Sequence, residues 1–367
     1  GNHANGVTIL SSYDSAYFNV IGGATSGAQN VISGNGEHGI YLSNWSRSNW
    51  VQGNKIGSDA EGHAPVGNGG SGVYLDNASD NLIGGASPGE GNRIAFNGGD
   101  GITVINSYRD TFLGNQIELN AGLGIDLDGD GPTPNDIGDY DNKGANGDQN
   151  YPLVLSAVPD GVSTLIRGRL DSSAKQTFNL EFFDNSACDA STYGEGETPL
   201  AALSVSTGLS GSVPFSITVP FNLPLNHFIT ATATDSHGNT SEFGPCQAVG
   251  PNNVTWPLAY PLPLTAPTSP SASTLYGAID QYLSRLGQSR WYKIRVMPQS
   301  KLTIKLTNLP ANYDLTLFKD IAQVYQTLNP PQSLTDLAQL GAEFAPDAFS
   351  PDVYSPDVYS PDVYSPD

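Results

Sequence analysis

The sequence predicts an all-β chain: a parallel β-helix, followed by two β-sandwich domains and an extended repetitive tail. Three observations predict it. Gly (42) and Pro (26) are abundant among 367 residues, whereas charged residues make up only 14%, a composition that disfavours helix throughout. The first 127 residues repeat themselves: NVIGG at Asn19 recurs as NLIGG at Asn81, and NVISGNGEHGI from Asn30 recurs as NRIAFNGGDGI from Asn92. From Tyr151 the period changes to runs such as STLIRGRL, TFNLEFFD, VPFSITV and HFITATATD, each bounded by turn residues. Short alternating strands at that spacing read as an antiparallel sandwich.

Residues 1–150 form the expected β-helix. A Gly-aliphatic-x-aliphatic unit appears at Gly6, Gly39, Gly72, Gly101 and Gly124, with spacings of 33, 33, 29 and 23 residues. Periods of this length signal stacked units. Within a unit Ile40 and Leu42 share one strand face and Tyr41 takes the other, as Val73 and Leu75 do around Tyr74. Asn in the recurrent Asn-x-Ile steps (Asn19, Asn30, Asn54, Asn81, Asn92, Asn115) is expected at left-handed corners, its amide bonded to the equivalent residue of the next coil. Glycines are expected to supply further positive-φ corners. Through NVIGG, NVISGNGEHGI and NAGLGIDLDGDGPTPND, this region resembles the right-handed parallel β-helix repeats of large bacterial exported and surface proteins. The chain opens inside a repeat, and its first coil is expected to present an open stacking edge.

Between Asp126 and Asp148 seven Asp (126, 128, 130, 136, 139, 141, 148) face one Lys, Lys143. DLDGDG places oxygen ligands at the first, third and fifth positions and Gly at the sixth, the opening of a calcium loop. Ile137 occupies the twelfth position, so an EF-hand is excluded. A looser calcium site on Asp126, Asp128, Asp130 and Asp136, with Asp139 or Asp141, and a solvated acidic turn sealing the last coil both fit. Residues 151–250 form the first sandwich. Cys188 and Cys246, an even pair within it, suit a disulfide, with two buried thiols as the alternative. EFFDNSACDASTYGEGET and ITATATDSHGNTSEF resemble the immunoglobulin-like module that follows such β-helices.

Residues 251–273 form a Pro-rich linker and a domain boundary. Residues 274–330 alternate again in GQSRWYKIRV, SKLTIKLTNLP and YDLTLFKD, and resemble the small β-sandwich called the pre-peptidase C-terminal domain. Arg290 stands where that family has an acidic residue. Residues 331–367 end in SPDVY repeats with aromatics at Phe349, Tyr354, Tyr359 and Tyr364. The tail reads as a spacer, or as an extended segment that docks on another copy of the chain.

The net charge of −21 excludes ordinary nucleic-acid binding, which depends on Lys and Arg. No apolar run is long enough to span a membrane. Glu37, Asp59, Glu61, Asp100 and Asp110 lie on the coils without a paired signature, and His3, His38, His63, His227 and His237 are dispersed. Glu37-His38-Gly39 resembles the His-Gly element of polygalacturonases, but the paired Asp and Arg-x-Lys motifs are missing, and His38 reads as an exposed turn residue. Tyr41, Trp45, Trp50 and Tyr74 suggest an aromatic platform for sugar rings or subunit contacts. The expectation is a secreted, cell-surface structural or adhesive protein without catalytic residues, stacking head-to-tail on copies of itself through its open edge and tail. The competing reading is a protein that binds or degrades cell-surface polysaccharide.

Overall fold

A computed structural model describes residues 1–11, 16–140 and 143–250, together with 260–261, 292–293 and 304. Residues 1–250 belong to one compact unit. Its first part is a parallel β-helix. One sheet stacks β1 (Val7–Leu10), β4 (Ile40–Ser43), β7 (Val73–Asp76), β10 (Ile102–Ile105) and β13 (Ile125–Leu127). A second stacks β2 (Val20–Gly22), β5 (Trp50–Gln52), β8 (Leu82–Gly84) and β11 (Thr111–Leu113); a third stacks β3 (Val31–Ile32), β6 (Lys55–Ile56), β9 (Arg93–Ala95) and β12 (Gln116–Glu118). All neighbours are parallel, in registers that put like on like: Ile40 opposite Val73 and Val73 opposite Ile102. The inward aliphatics of all three sheets form one core, including Leu42, Val51, Ile56, Leu75, Ile83, Ile94, Val104 and Ile117.

The glycines of the Gly-aliphatic unit serve close approach and not a left-handed turn. A Cβ on Gly39 or Gly101 would meet the carbonyl oxygen of Gly72 or Gly124 at 2.5 Å, so any side chain there would push the coils apart. The Asn expectation is also corrected in part. The amides do form ladders, each Oδ1 accepting Nδ2–H from the coil before: Asn19 to Asn49 at 2.9 Å, Asn49 to Asn81 at 3.0 Å and Asn81 to Asp110 at 2.9 Å. A second ladder runs from Asn30 through Asn54 and Asn92 to Asn115. A third, not anticipated, runs from Asn35 through Asn68 and Asn97 to Asn120. At most ladder positions the left-handed residue is the one before, as at Ser48 (φ 52°), Asp80 (φ 61°), Gly53 (φ 68°), Phe96 (φ 63°) and Leu119 (φ 56°). That turn swings the following amide inward, where burial makes an unpaired amide costly.

Residues 151–250 fold as an antiparallel sandwich of β14 (Leu153–Pro159), β15 (Thr164–Asp171) and β18 (Ser212–Val219) facing β16 (Thr177–Asn185), β17 (Thr198–Ser206), β19 (Phe228–Thr234) and β20 (Gln247–Ala248). Phe178, Leu180 and Phe182 from one sheet meet Ile166, Leu170 and Phe215 from the other. Cys188 and Cys246 are joined in a disulfide. The sandwich closes the β-helix. Phe183 and Phe243 pack edge to face, centroids 5.2 Å apart, and belong to the solenoid core. Three carboxylates accept N–H groups that the last coil would otherwise leave unmatched: Glu181 from Gly114, Glu195 from Leu119 and Asn120, and Glu242 from Leu127 and Thr133. Burial pushes the Glu195 carboxyl up to about 7 and that of Glu242 up to about 8.

The other described pieces, β21 (Tyr260–Pro261) and β22 (Tyr292–Lys293), form a parallel pair. The linker, the third module and the tail aromatics Phe349, Tyr354, Tyr359 and Tyr364 otherwise lie outside the described residues. Among the described residues, no helix is long and apolar enough to cross a membrane.

Asp110 occupies a ladder position that elsewhere holds Asn. It is fully buried, its Oδ1 accepts both N–H groups of Asn81, and its Oδ2 has no partner. Burial raises its pKa from 3.8 to about 8. Because the folded value is the higher one, stability from this group is complete below pH ~4 and is lost as pH rises through about 8. Asp110→Asn supplies the missing Nδ2–H toward Asn146 and removes the charge. The variant is expected to melt higher than the parent, with an advantage that grows from pH 5 to pH 8 and reaches about 2 kcal/mol. Thermal melts across that range check it, and an advantage that shrinks with pH refutes it.

Candidate functional site

Alternation along the five-stranded sheet turns Tyr41, Tyr74, Thr103 and Asp126 outward in one register row. The residues just before the strands add His38, Ser71 and Asp100 to the same face. The His38 ring stacks on Tyr74 at 4.3 Å, and the Tyr41 and Tyr74 rings lie 5.7 Å apart. His38 Nδ1 accepts the Ser71 N–H at 3.0 Å, which leaves the ring proton of the neutral form on Nε2. Burial holds the His38 pKa below 6.5, against the opposing charges of Glu37 and Asp100. The expected exposed turn residue is therefore a half-buried member of an aromatic row.

Hydroxyls connect this row to a pair of carboxylates. Ser71 Oγ lies 2.7 Å from Thr103 Oγ1, which donates to Asp100 Oδ2 at 2.7 Å, while Leu123 N–H donates to Asp100 Oδ1 at 2.9 Å. One coil on, Asp126 is only 6% exposed and its Oδ1 has no hydrogen-bond partner. Burial, then the charge of Asp100, pushes its pKa up to about 6, although it accepts N–H bonds from Gly131 and Gly129. Tyr41 Oη donates to Asp76 Oδ2 at 3.3 Å. Asp76 also lines a groove at the adjoining corner with Asn44, Trp45, Asn77, Ser79, Asn106 and Tyr108. Asn44, Asn77 and Asn106 do take left-handed φ angles, 54°, 55° and 48°.

The four anticipated platform aromatics separate. Tyr41 and Tyr74 share the face and Trp45 walls the groove, but Trp50 lies on β5 in the second sheet. Asp59 caps its own turn through the N–H groups of His63 and Ala64. His227 pairs with Asp184 and His237 with Asp235, both in the sandwich. The acidic stretch is tied to its own backbone: Asp128 Oδ1 accepts from Ala145 N–H and Asp136 Oδ2 from Tyr140 N–H, both at 3.0 Å, while Asp130 is exposed. Among the described residues, no group of three or more His, Cys, Asp or Glu is placed to hold a metal ion. Of the other anticipated calcium donors, Asp141 lies outside the described residues.

These stacked sheets place the chain among parallel β-helix proteins. Residues 1–142 match the family model described as periplasmic copper-binding protein (NosD). No curated protein matches the chain. A similar solved structure is the enzymatically active domain of bacteriophage CBA120 tailspike protein 2, at 14% identity and a TM-score of 0.20, covering 60% of this chain and 50% of that one. This chain thus spans about half the length of that structure, and a likeness at that score carries no argument about chemistry. Among the described residues, no group of three or more His, Cys, Asp or Glu is placed for the copper of that description. Copper favours imidazole and sulfur donors, whereas both cysteines are bridged and His38 Nδ1 already accepts a backbone N–H.

The expectation of a chain that is not an enzyme is corrected at this point: it rested on a missing linear motif, and a missing motif excludes no activity. The physical reason motif reading fails is that stacking assembles a site from residues a coil apart. Asp100 and Asp126 belong to different coils and share no linear signature. For His38, an NMR titration is expected to give a midpoint below 6.5. Protonation must break its acceptance from Ser71, so the Ser71 amide should shift with the ring; a ring that titrates alone at an ordinary midpoint contradicts this geometry.

Proposed function

We propose that this chain is an exported glycan-acting β-helix protein whose five-stranded face binds a polysaccharide and hydrolyses it. The observation that carries the reading is the juxtaposition of an aromatic row with two carboxylates in unlike environments. Sugar rings stack on aromatic faces, and glycoside hydrolysis uses one carboxyl held protonated and one ionised. Asp126 is the proton donor to the glycosidic oxygen as the C–O bond breaks. Asp100 is the carboxylate facing the positive charge that develops on the sugar, and water completes the cleavage. Tyr41 and Tyr74 orient the rings. An oxidising compartment suits the Cys188–Cys246 disulfide, and the word periplasmic in the family description supports the same location.

Turn capping by the Gly129 and Gly131 N–H groups explains part of the Asp126 environment, but it leaves Oδ1 unmatched. Release of reducing ends from a panel of polysaccharides tests the reading. Because the acid form of Asp126 is the active one and its pKa is about 6, activity is expected to fall as pH rises past that value. Asp126→Asn is expected to lower turnover by about 10²- to 10⁴-fold with binding retained. Tyr41→Ala is expected to weaken binding by about tenfold. Release that survives Asp126→Asn, or no release from any glycan, would remove the catalytic part; unchanged binding in Tyr41→Ala would remove the platform.

A further inference from the structure

The charge of the face narrows the class of glycan, an inference that rests on the glycan reading above. The stretches 37–45, 70–79, 99–108 and 123–131 supply its strands and flanking turns, and they contain no Lys or Arg. The same stretches carry Glu37, Asp76, Asp100 and Asp126 among their carboxylates. The nearest bases in sequence are engaged elsewhere: Arg47 lies over the Tyr17 ring at 5.9 Å, and Arg109 forms an ion pair with Asp80. Asp126 stands at the outward position of β13 in register with Thr103, nine-tenths buried, with Oδ1 unpartnered. A buried oxygen of that kind calls for a donor.

A polymer of uronic acids would bring carboxylates against carboxylates, with no base to separate them. A neutral glycan would use the aromatic row and donate hydroxyls to the acceptors, but it would gain nothing from their charge. An ammonium group fits both features: it donates to carboxylates, and it is attracted to the faces of Tyr rings. We propose that the ligand of this face is a glycan bearing free amino groups, a polymer of de-N-acetylated hexosamine, whose ammonium groups meet Asp76 and Asp100 while its rings lie along Tyr41 and Tyr74.

The test is calorimetric titration of the full chain at pH 5.5, where sugar amines are charged, with three oligomers of equal length: a glucosamine oligomer, its N-acetylated counterpart, and a galacturonate oligomer. The amino oligomer is expected to bind at least about tenfold tighter than the acetylated one, to weaken with added salt, and to outbind the galacturonate. Asp76→Asn keeps an acceptor for Tyr41 and should cost the amino oligomer several-fold in affinity while leaving the acetylated oligomer unchanged. Thermal melting at the parent temperature shows that this variant is folded. Equal or tighter binding of the acetylated or galacturonate oligomer would overturn the amino-glycan inference and leave the glycan reading standing. Binding of none of the three would overturn both.

Discussion

The structure depends on one constraint: every turn of the solenoid after the first buries side chains at its corners that must find those of the next. A strand of three or four residues contributes little pairing of its own, so the coils are held in step by side chains at the corners as well as by the sheets. Each ladder Oδ1 accepts two donors from the coil before it, as Asn92 Oδ1 does from the backbone N–H and Nδ2 of Asn54 at 2.9 and 3.0 Å. Since a buried amide left unpaired costs more than a paired one contributes, a coil shifted by one residue would lose at three corners together. Register is thus fixed by penalty. The left-handed residues before the ladder positions, including Ser48 and Leu119, are strained choices that this requirement holds in place.

The same constraint explains the sandwich. A ladder has a last rung, and the donors on the final coil need acceptors that no further coil provides. Glu181, Glu195 and Glu242 provide them from the sandwich, and Phe183 and Phe243 cover the apolar core between. Carboxylates are effective acceptors here but poor residents of a dry interface, which is why burial drives Glu195 and Glu242 toward their acid forms. The candidate site lies near this closed end for a related reason. Its carboxylates come from the last two coils, where the repeat shortens to 23 residues between Gly101 and Gly124 and Asp126 is drawn under its own turn.

Much of this was legible before any coordinates. Alternation identified the inward residues Ile40, Leu42, Val73 and Leu75, and the repeated Asn-x-Ile steps announced amide stacking. What stayed hidden is what depends on distance along the chain. Glu242 meets Leu127 across 115 positions, and no local pattern marks a glutamate as a cap. The Asn35–Asn68–Asn97–Asn120 ladder had a faint signal in the recurring Asn-Gly steps, which looked like ordinary turns. Trp50 was grouped with Tyr41 because the two are close in sequence, but one belongs to the second sheet and the other to the first. The pairing of Asp100 with Asp126 and the stacking of His38 on Tyr74 follow from coil lengths, which set who meets whom only once the winding is known.

Asn-Gly is the dipeptide at which proteins age fastest, because the glycine nitrogen attacks the neighbouring side-chain amide and expels ammonia. The chain carries this step at Asn5, Asn35, Asn68, Asn97 and Asn146. In each case the glycine nitrogen is already committed, donating its hydrogen to a carbonyl: Gly6 to His38, Gly36 to Asn2, Gly69 to Asn35, Gly98 to Asn68 and Gly147 to Gly144. Winding therefore protects the chain against its own most labile bonds, and spontaneous deamidation becomes a clock that starts only when a coil comes loose.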